Sequence, residues 1–247
     1  MRIPLPTDYT VFRFLVPSLG QEKKFRPFTV KENKALLAAQ STDDETVMVD
    51  TLKQVISNCC LEDDFDVDKL AIFDAEYLLI KLRGVSVGQS TNLIVTCGDA
   101  HDGFPEETRK NEIVLDLDNL EIVDIDKYNP HIRLSDSMVV NMKAPTLDLL
   151  KRLRVEKGLD FETDYSSVLH NICIMIDNIS TSDEVISGSD LSIQDLSTWL
   201  ESLTEPQFMK LYNYFINFPK CRIKLDWTCP TCGKRNVQYL EGISYFF

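Results

Sequence analysis

Near residue 90 the apolar residues change their spacing, and that change leaves few architectures open. Before it the pattern is helical. Val47, Leu52, Val55, Ile56 and Cys59 recur near helical spacing between Asp43 and Cys60, and Tyr77, Leu78, Ile80 and Leu82 do so between Asp74 and Arg83. Beyond it come short β-rich segments, Asn92–Cys97, Glu112–Leu117, Glu121–Ile125, His131–Leu134 and Met138–Met142, separated by turn residues. Parallel strands would need a crossover helix between each pair, and none fits in these gaps. The spacing predicts an antiparallel meander.

Helical pattern returns at Pro145 and continues through Tyr165–Ile176, Ser192–Leu203 and Glu205–Phe218. Side-chain caps mark the starts. Thr29 stands three residues before Glu32, Ser192 before Asp195 and Thr204 before Gln207, so each pair can satisfy free amides of a first turn. Phe28 is placed to staple the first of these helices, which runs through Ala39. Gly84 is expected to close the 74–83 helix in a left-handed cap. Tyr9–Val16, β-branched and aromatic, reads as a strand ahead of all of them. The expected fold is α+β, with N-terminal helices over 29–84, a central antiparallel sheet over 91–142, a helical C-terminal half over 145–217 and a terminal zinc-ribbon-like β-hairpin.

The last thirty residues differ from the rest. Arg222 to Trp227 alternates apolar with polar, Cys229-Pro230-Thr231-Cys232-Gly233 makes a turn, and Val237 to Leu240 returns. Lys220, Arg222, Lys224, Lys234 and Arg235 stand against Asp226 and Glu241, a net +3 on a chain whose total is −13. The expected division is therefore an acidic body, 1–217, and a Cys-x-x-Cys hairpin module, 218–247.

Two thiolates on so tight a turn form half of a tetrahedral zinc site. A second pair would complete it, and none follows Cys232. Cys97, His101 and Cys221 are the candidates to complete it. Cys97 and His101 share a strand end and its loop at Cys-x-x-x-His spacing. The expectation is one structural zinc on Cys229 and Cys232, against the plainer reading of a knuckle that holds no metal. A redox pair would open a helix after a strand, and this one sits between strands. His170 and Cys173 share a helix face but read as core packing, as do Cys59 and Cys60. The acidic runs Asp43-Asp44-Glu45 and Glu62 to Asp68 fall at helix starts and loops, where carboxylates cap amides.

For chemistry the chain offers little. It has no Gly-x-Ser-x-Gly, Walker loop, Gly-x-Gly-x-x-Gly or His-Glu-x-x-His, and its three histidines lie in unlike contexts. A charge of −13 repels phosphate backbones and anionic membranes. Seven cysteines, two of them adjacent, make a poor disulfide framework, so the thiols read as reduced and the compartment as cytosolic. Neither a membrane-spanning run nor a signal peptide is apparent. The function is expected to reside in surfaces, without catalysis and without a small-molecule substrate.

One ordered set of residues is distinctive. It comprises Phe25-Arg26-Pro27-Phe28-Thr29-Val30-Lys31-Glu32, then Leu52-Lys53-Gln54-Val55-Ile56 with Asn58-Cys59, then Phe73-Asp74, Glu76-Tyr77-Leu78, Lys81-Leu82-Arg83 and Ser86-Val87-Gly88. Further on stand Met142-Lys143, Pro145-Thr146 and the ending Gly242-Ile243 with Phe246-Phe247. This set resembles the baseplate hub assembly proteins of T-even-type contractile-tailed bacteriophages. The resemblance implies a late viral protein of the host cytoplasm that helps the central hub of the tail baseplate to assemble. It would bind other hub proteins, as a structural subunit or as an assembly factor absent from the finished particle. It implies no enzymatic activity and carries over no site residues. The contrasting reading is a zinc-ribbon nucleic-acid-binding or regulatory factor, touching phosphate and base through the basic hairpin with Trp227, Tyr239 and Tyr245.

The ending itself is unusual, since Tyr245, Phe246 and Phe247 are apolar where termini are commonly polar. Together with Trp227 they either dock the hairpin on the chain's own body or wait for a partner. Attraction between the +3 hairpin and the acidic body favours docking.

Overall fold

The computed structural model describes residues 8–42, 44–98, 105–149, 151 and 165–242. The chain divides into two compact units. The first comprises Met1–Val67, Phe73–Val123 and Lys220–Phe247, and the second Asp68–Ile72 and Asp124–Pro219.

The first unit begins with the hairpin β1 (Phe12–Val16) and β2 (Gln21–Phe25). The rings of Phe12, Phe14 and Phe25 stack at 6.2 and 5.6 Å, and Phe65 meets Phe25 edge-on at 5.6 Å. Helices α1 (Val30–Gln40), α2 (Glu45–Cys59) and α3 (Ile72–Ser86) follow. The Thr29–Glu32 capping box opens α1 as expected, and Asp44 caps α2. The three stretches of distinctive sequence meet here. The Arg26 amide donates to the Cys59 carbonyl at 2.9 Å, and the Phe28 amide donates to Ser86 Oγ at 2.9 Å. Phe25, Val55, Ile56, Cys59, Phe73, Leu78 and Leu82 are all buried. Each such side chain contributes on the order of 2 kcal/mol by leaving water.

Gly84 does not end its helix. It lies inside α3, where an added Cβ would collide with Oε1 of Gln89, so its missing side chain makes room for Gln89. Then β3 (Ser90–Thr96) pairs with β4 (Lys110–Asp116), placing Leu93 opposite Ile113. The next strand, β5 (Leu120–Val123), leaves its neighbours and pairs with β10 (Lys220–Thr228), which pairs in turn with β11 (Arg235–Glu241). Ile80, Val95, Leu115, Leu117, Ile223, Leu225, Trp227 and Leu240 form one apolar cluster in this unit.

The second unit holds the antiparallel sheet β6 (His131–Ser135), β7 (Met138–Met142), β8 (Ile176–Thr181) and β9 (Val185–Ser187). Helices Tyr165–Met175, Ile193–Glu201 and Glu205–Ile216 belong to it, the last two opened by the Ser192–Asp195 and Thr204–Gln207 capping boxes. Val140, Ile172, Met175, Ile176 and Leu211 are at the centre of its core.

The chain is thus a mixture of helices and antiparallel sheets, as the spacing predicts, but two expectations need correction. The five β segments do not form one meander; they are shared among three sheets. Asp124, in the left-handed region at φ 60°, turns the chain away after β5, and the edge of β5 is paired by β10. Nor is the C-terminal half purely helical. The helix from Tyr165 gives way at Ile176 directly to β8, where Ile176 and Ile179 face inward among Asp, Asn, Ser and Thr. Those polar residues hid the strand, since Ile176 and Ile179 stand three residues apart across a register shift opposite Asn141 and Met142 and show no period-two alternation.

Gly188 fits tightly in this unit. A Cβ there would collide with the Ile176 carbonyl oxygen and lie 3.1 Å from that of Asp177. Backbone cannot yield as a side-chain tip does, so Gly188→Ala is expected to cost about 2 kcal/mol in urea unfolding, whereas Gly98→Ala should stay within about 0.5 kcal/mol.

Candidate metal centre

The hairpin β10–β11 carries its Cys-x-x-Cys turn to the end of the β3–β4 hairpin. Within the turn, the Cys229 amide donates to the Lys234 carbonyl at 2.8 Å and the Gly233 amide to the Cys229 carbonyl at 2.9 Å. Gly233 sits at φ 71°, a backbone position that a side chain would strain. Thr231 Oγ1 donates to the Thr108 carbonyl at 3.2 Å, a direct tie to the segment leading into β4.

Cys97, one residue past β3, stands beside this turn. Its Sγ is 3.7 Å from Sγ of Cys232, and the sulfurs of Cys97, Cys229 and Cys232 all lie within 4.8 Å of one another. Cys97 and Cys229 are buried and Cys232 is exposed. Three cysteines within reach of one point could bind a metal ion. Asn236 Nδ2 lies 3.7 Å from the Cys97 sulfur and Asn111 Nδ2 lies 3.9 Å from that of Cys229, so two buried amides offer N–H groups to sulfur. The Arg109 guanidinium donates to the Cys97 carbonyl at 3.2 and 3.0 Å. Burial pushes the Cys229 thiol up, but the backbone amides of Cys232 and Thr231 outweigh it and bring the group down to about 6, while Cys232 is raised.

Of the expected partners for the knuckle, the structure brings in Cys97. Cys221 lies at the far end of β10, where its Sγ donates to the Phe73 carbonyl at 3.2 Å and burial pushes its thiol up. His101 lies outside the described residues. Cys59 and Cys173 are buried thiols, pushed by burial to about 12 and about 11, which suits core packing and inert chemistry. Asn111 and Asn236 were not singled out by the sequence reading. Their signal is a polar residue at an inward position of an alternating strand, Asn111 being in step with Ile113 and Leu115.

Trp227 is 8% exposed and packs in the cluster with Val95 and Leu115, so its ring serves the chain's own interior. Tyr245, Phe246 and Phe247 lie outside the described residues. The hairpin's cations face carboxylates: Arg235 Nε is 2.7 Å from Asp226 Oδ1, Lys224 is 3.6 Å from Asp226, Arg222 is 3.5 Å from Glu121 and Lys220 is 4.0 Å from Glu241. Arg222 also lies 4.6 Å over the ring of Tyr239. Hydrogen bonding from Arg235 draws Asp226 down to about 2.

A family model described as T4 bacteriophage base plate protein matches residues 9–247. The chain belongs to that family. No curated protein and no solved structure matched it. A T4-type baseplate protein is a structural phage component of the virion tail baseplate, and its neighbours there are other phage proteins. Among the described residues of this baseplate protein, no helix is long and apolar enough to cross a membrane.

Proposed function

We propose that this baseplate protein acts in the central hub of the tail baseplate, by binding other hub proteins in the host cytoplasm and without catalysis. It serves there as a structural subunit or as an assembly factor. The observation that carries this reading is the family match over residues 9–247, together with the distinctive N-terminal stretches. Those stretches converge on one corner of the first unit, where Arg26 bonds Cys59 and Phe28 bonds Ser86, so they define a packed framework from which a partner surface can be presented. Tyr245, Phe246 and Phe247 are proposed as a terminal contact for the hub partner.

Mass spectrometry of hub precursors and of finished tails purified from infected cells tests this reading. The protein should co-purify with hub precursors. Its presence or loss in finished tails separates subunit from assembly factor, and absence from both would overturn the proposal. Deleting Tyr245 to Phe247 should abolish co-purification while leaving the melting temperature unchanged if these residues contact the partner; a lowered melting temperature would place them against the chain's own body.

The nucleic-acid reading receives less support. Four of the hairpin's five cations lie within 4.0 Å of a carboxylate, Asp226 serving two of them, which reduces the charge offered to phosphate. The full chain is expected to give no mobility shift with duplex DNA or single-stranded RNA at low salt. A shift that weakens steeply with added salt would restore that reading.

A further inference from the structure

We propose that Cys97, Cys229 and Cys232 hold one zinc ion, which clips the terminal hairpin to the β3–β4 hairpin. The separation of the sulfurs suits it. Thiolates bound at ~2.3 Å on a tetrahedral ion stand ~3.8 Å apart. Cys97 and Cys232 already stand 3.7 Å apart, and Cys229 lies within 4.8 Å of both. A disulfide would need its two sulfurs at ~2.0 Å and would leave the third thiol without a role. Two of the donors lie on one turn, and the third comes from a strand end 135 residues from Cys232, so their convergence is a product of the fold.

The surroundings suit thiolate more than thiol. Binding forms three Zn–S bonds and releases to solvent whatever protons the thiols still carry, which leaves the three-thiolate centre with one net negative charge. Asn236 and Asn111 point buried amide groups at the sulfurs of Cys97 and Cys229, at 3.7 and 3.9 Å. Such donors orient the sulfurs and offset their charge, the part played by groups around a metal's own ligands. Arg109, bonded to the Cys97 carbonyl, places a cation on the same corner. Three soft donors in tetrahedral reach select zinc over magnesium or calcium, which take oxygen.

The consequence is mechanical. β10 and β11 are far in sequence from β3 and β4, and at their tips the Thr231–Thr108 and Gly98–Asn236 hydrogen bonds and the three sulfurs come together. An ion there would close a long loop and fix the hairpin. The site stands independently of the hub reading and is tested without any partner.

The full chain, expressed with zinc in the medium and purified without chelator, should contain about one equivalent of zinc. A strong chelator should remove it and lower the melting temperature by about 5 °C or more. Cys232→Ser, at the exposed sulfur, should reduce retained zinc at least ~10-fold against a weak competing chelator, whereas Cys60→Ser should keep it. Should Cys232→Ser fail to fold, cobalt added to the chelator-treated native chain gives the answer. A thiolate-to-cobalt charge-transfer band, bleached by equimolar zinc, supports the site. A native chain that neither retains zinc nor shows this band overturns it, as does equal zinc in the Cys232 and Cys60 variants.

Discussion

Trp227→Ala is expected to cost about 3–5 kcal/mol and to release the terminal hairpin from its unit. The indole is 8% exposed and sits among Val95, Leu115, Ile223 and Leu225, donors of apolar surface from both hairpins. Removing it leaves a cavity at the point where they meet, and strands held by pairing at their margins do not collapse to fill it. Hydrogen exchange should show protection lost first across β3, β4, β10 and β11, with β7 of the second unit less affected. Uniform loss across both units would show instead that the chain unfolds as one cooperative body. A companion variant sharpens the point. Trp227 Nε1 is buried with no hydrogen-bond partner among the described residues, so the indole carries a donor that they leave unmet. Trp227→Phe gives up some area and removes that donor, and should cost under about 1 kcal/mol.

What could be read from the sequence follows the range of each interaction. Caps depend on neighbours three residues apart, and Thr29–Glu32, Ser192–Asp195 and Thr204–Gln207 all form. The Cys-x-x-Cys turn and its two strands are local in the same way. Pairing between distant strands is not. Nothing in Leu120 to Val123 announces that the partner is Lys220 to Ile223, because an edge of backbone amides looks alike to any strand. β2 was missed for another reason: Gln21-Glu22-Lys23-Lys24 is polar, and its single buried position is Phe25. For the metal centre, two of the three sulfurs were evident and Cys97 was one of three candidates for the rest. The choice between Cys97 and Cys221 turned on which end of β10 meets β3, a matter of tertiary register. The Arg26–Glu32 pair went unread too, since six residues spanning a proline match no regular spacing.

That pair sets up a pH dependence in acid. Arg26 Nη2 lies 2.7 Å from Glu32 Oε1, and the Thr29 amide and hydroxyl donate to Glu32 Oε2 at 2.5 and 2.6 Å. Glu32 is 6% exposed. Burial pushes its pKa up, but the bonds from Arg26 and Thr29 outweigh burial and bring it from 4.5 down to about 2. In acid the unfolded chain therefore takes up the proton first. The pair's contribution is whole above about pH 5 and is lost as pH falls from 4.5 toward 2. Its size is on the order of 2 kcal/mol after allowance for relaxation around the pair. Glu32→Gln leaves the half-buried guanidinium without its counter-charge and should cost about 3 kcal/mol at pH 7, with a flatter stability profile between pH 5 and pH 2. Arg26→Met is the opposite case. Burial then acts on Glu32 with less opposition, its pKa rises above the value in wild type, and acid should destabilise this variant less than wild type. Urea unfolding across pH 2–7 measures all three chains. Parallel profiles for wild type and Arg26→Met would show that the two bonds from Thr29, rather than the guanidinium, hold the carboxylate ionised.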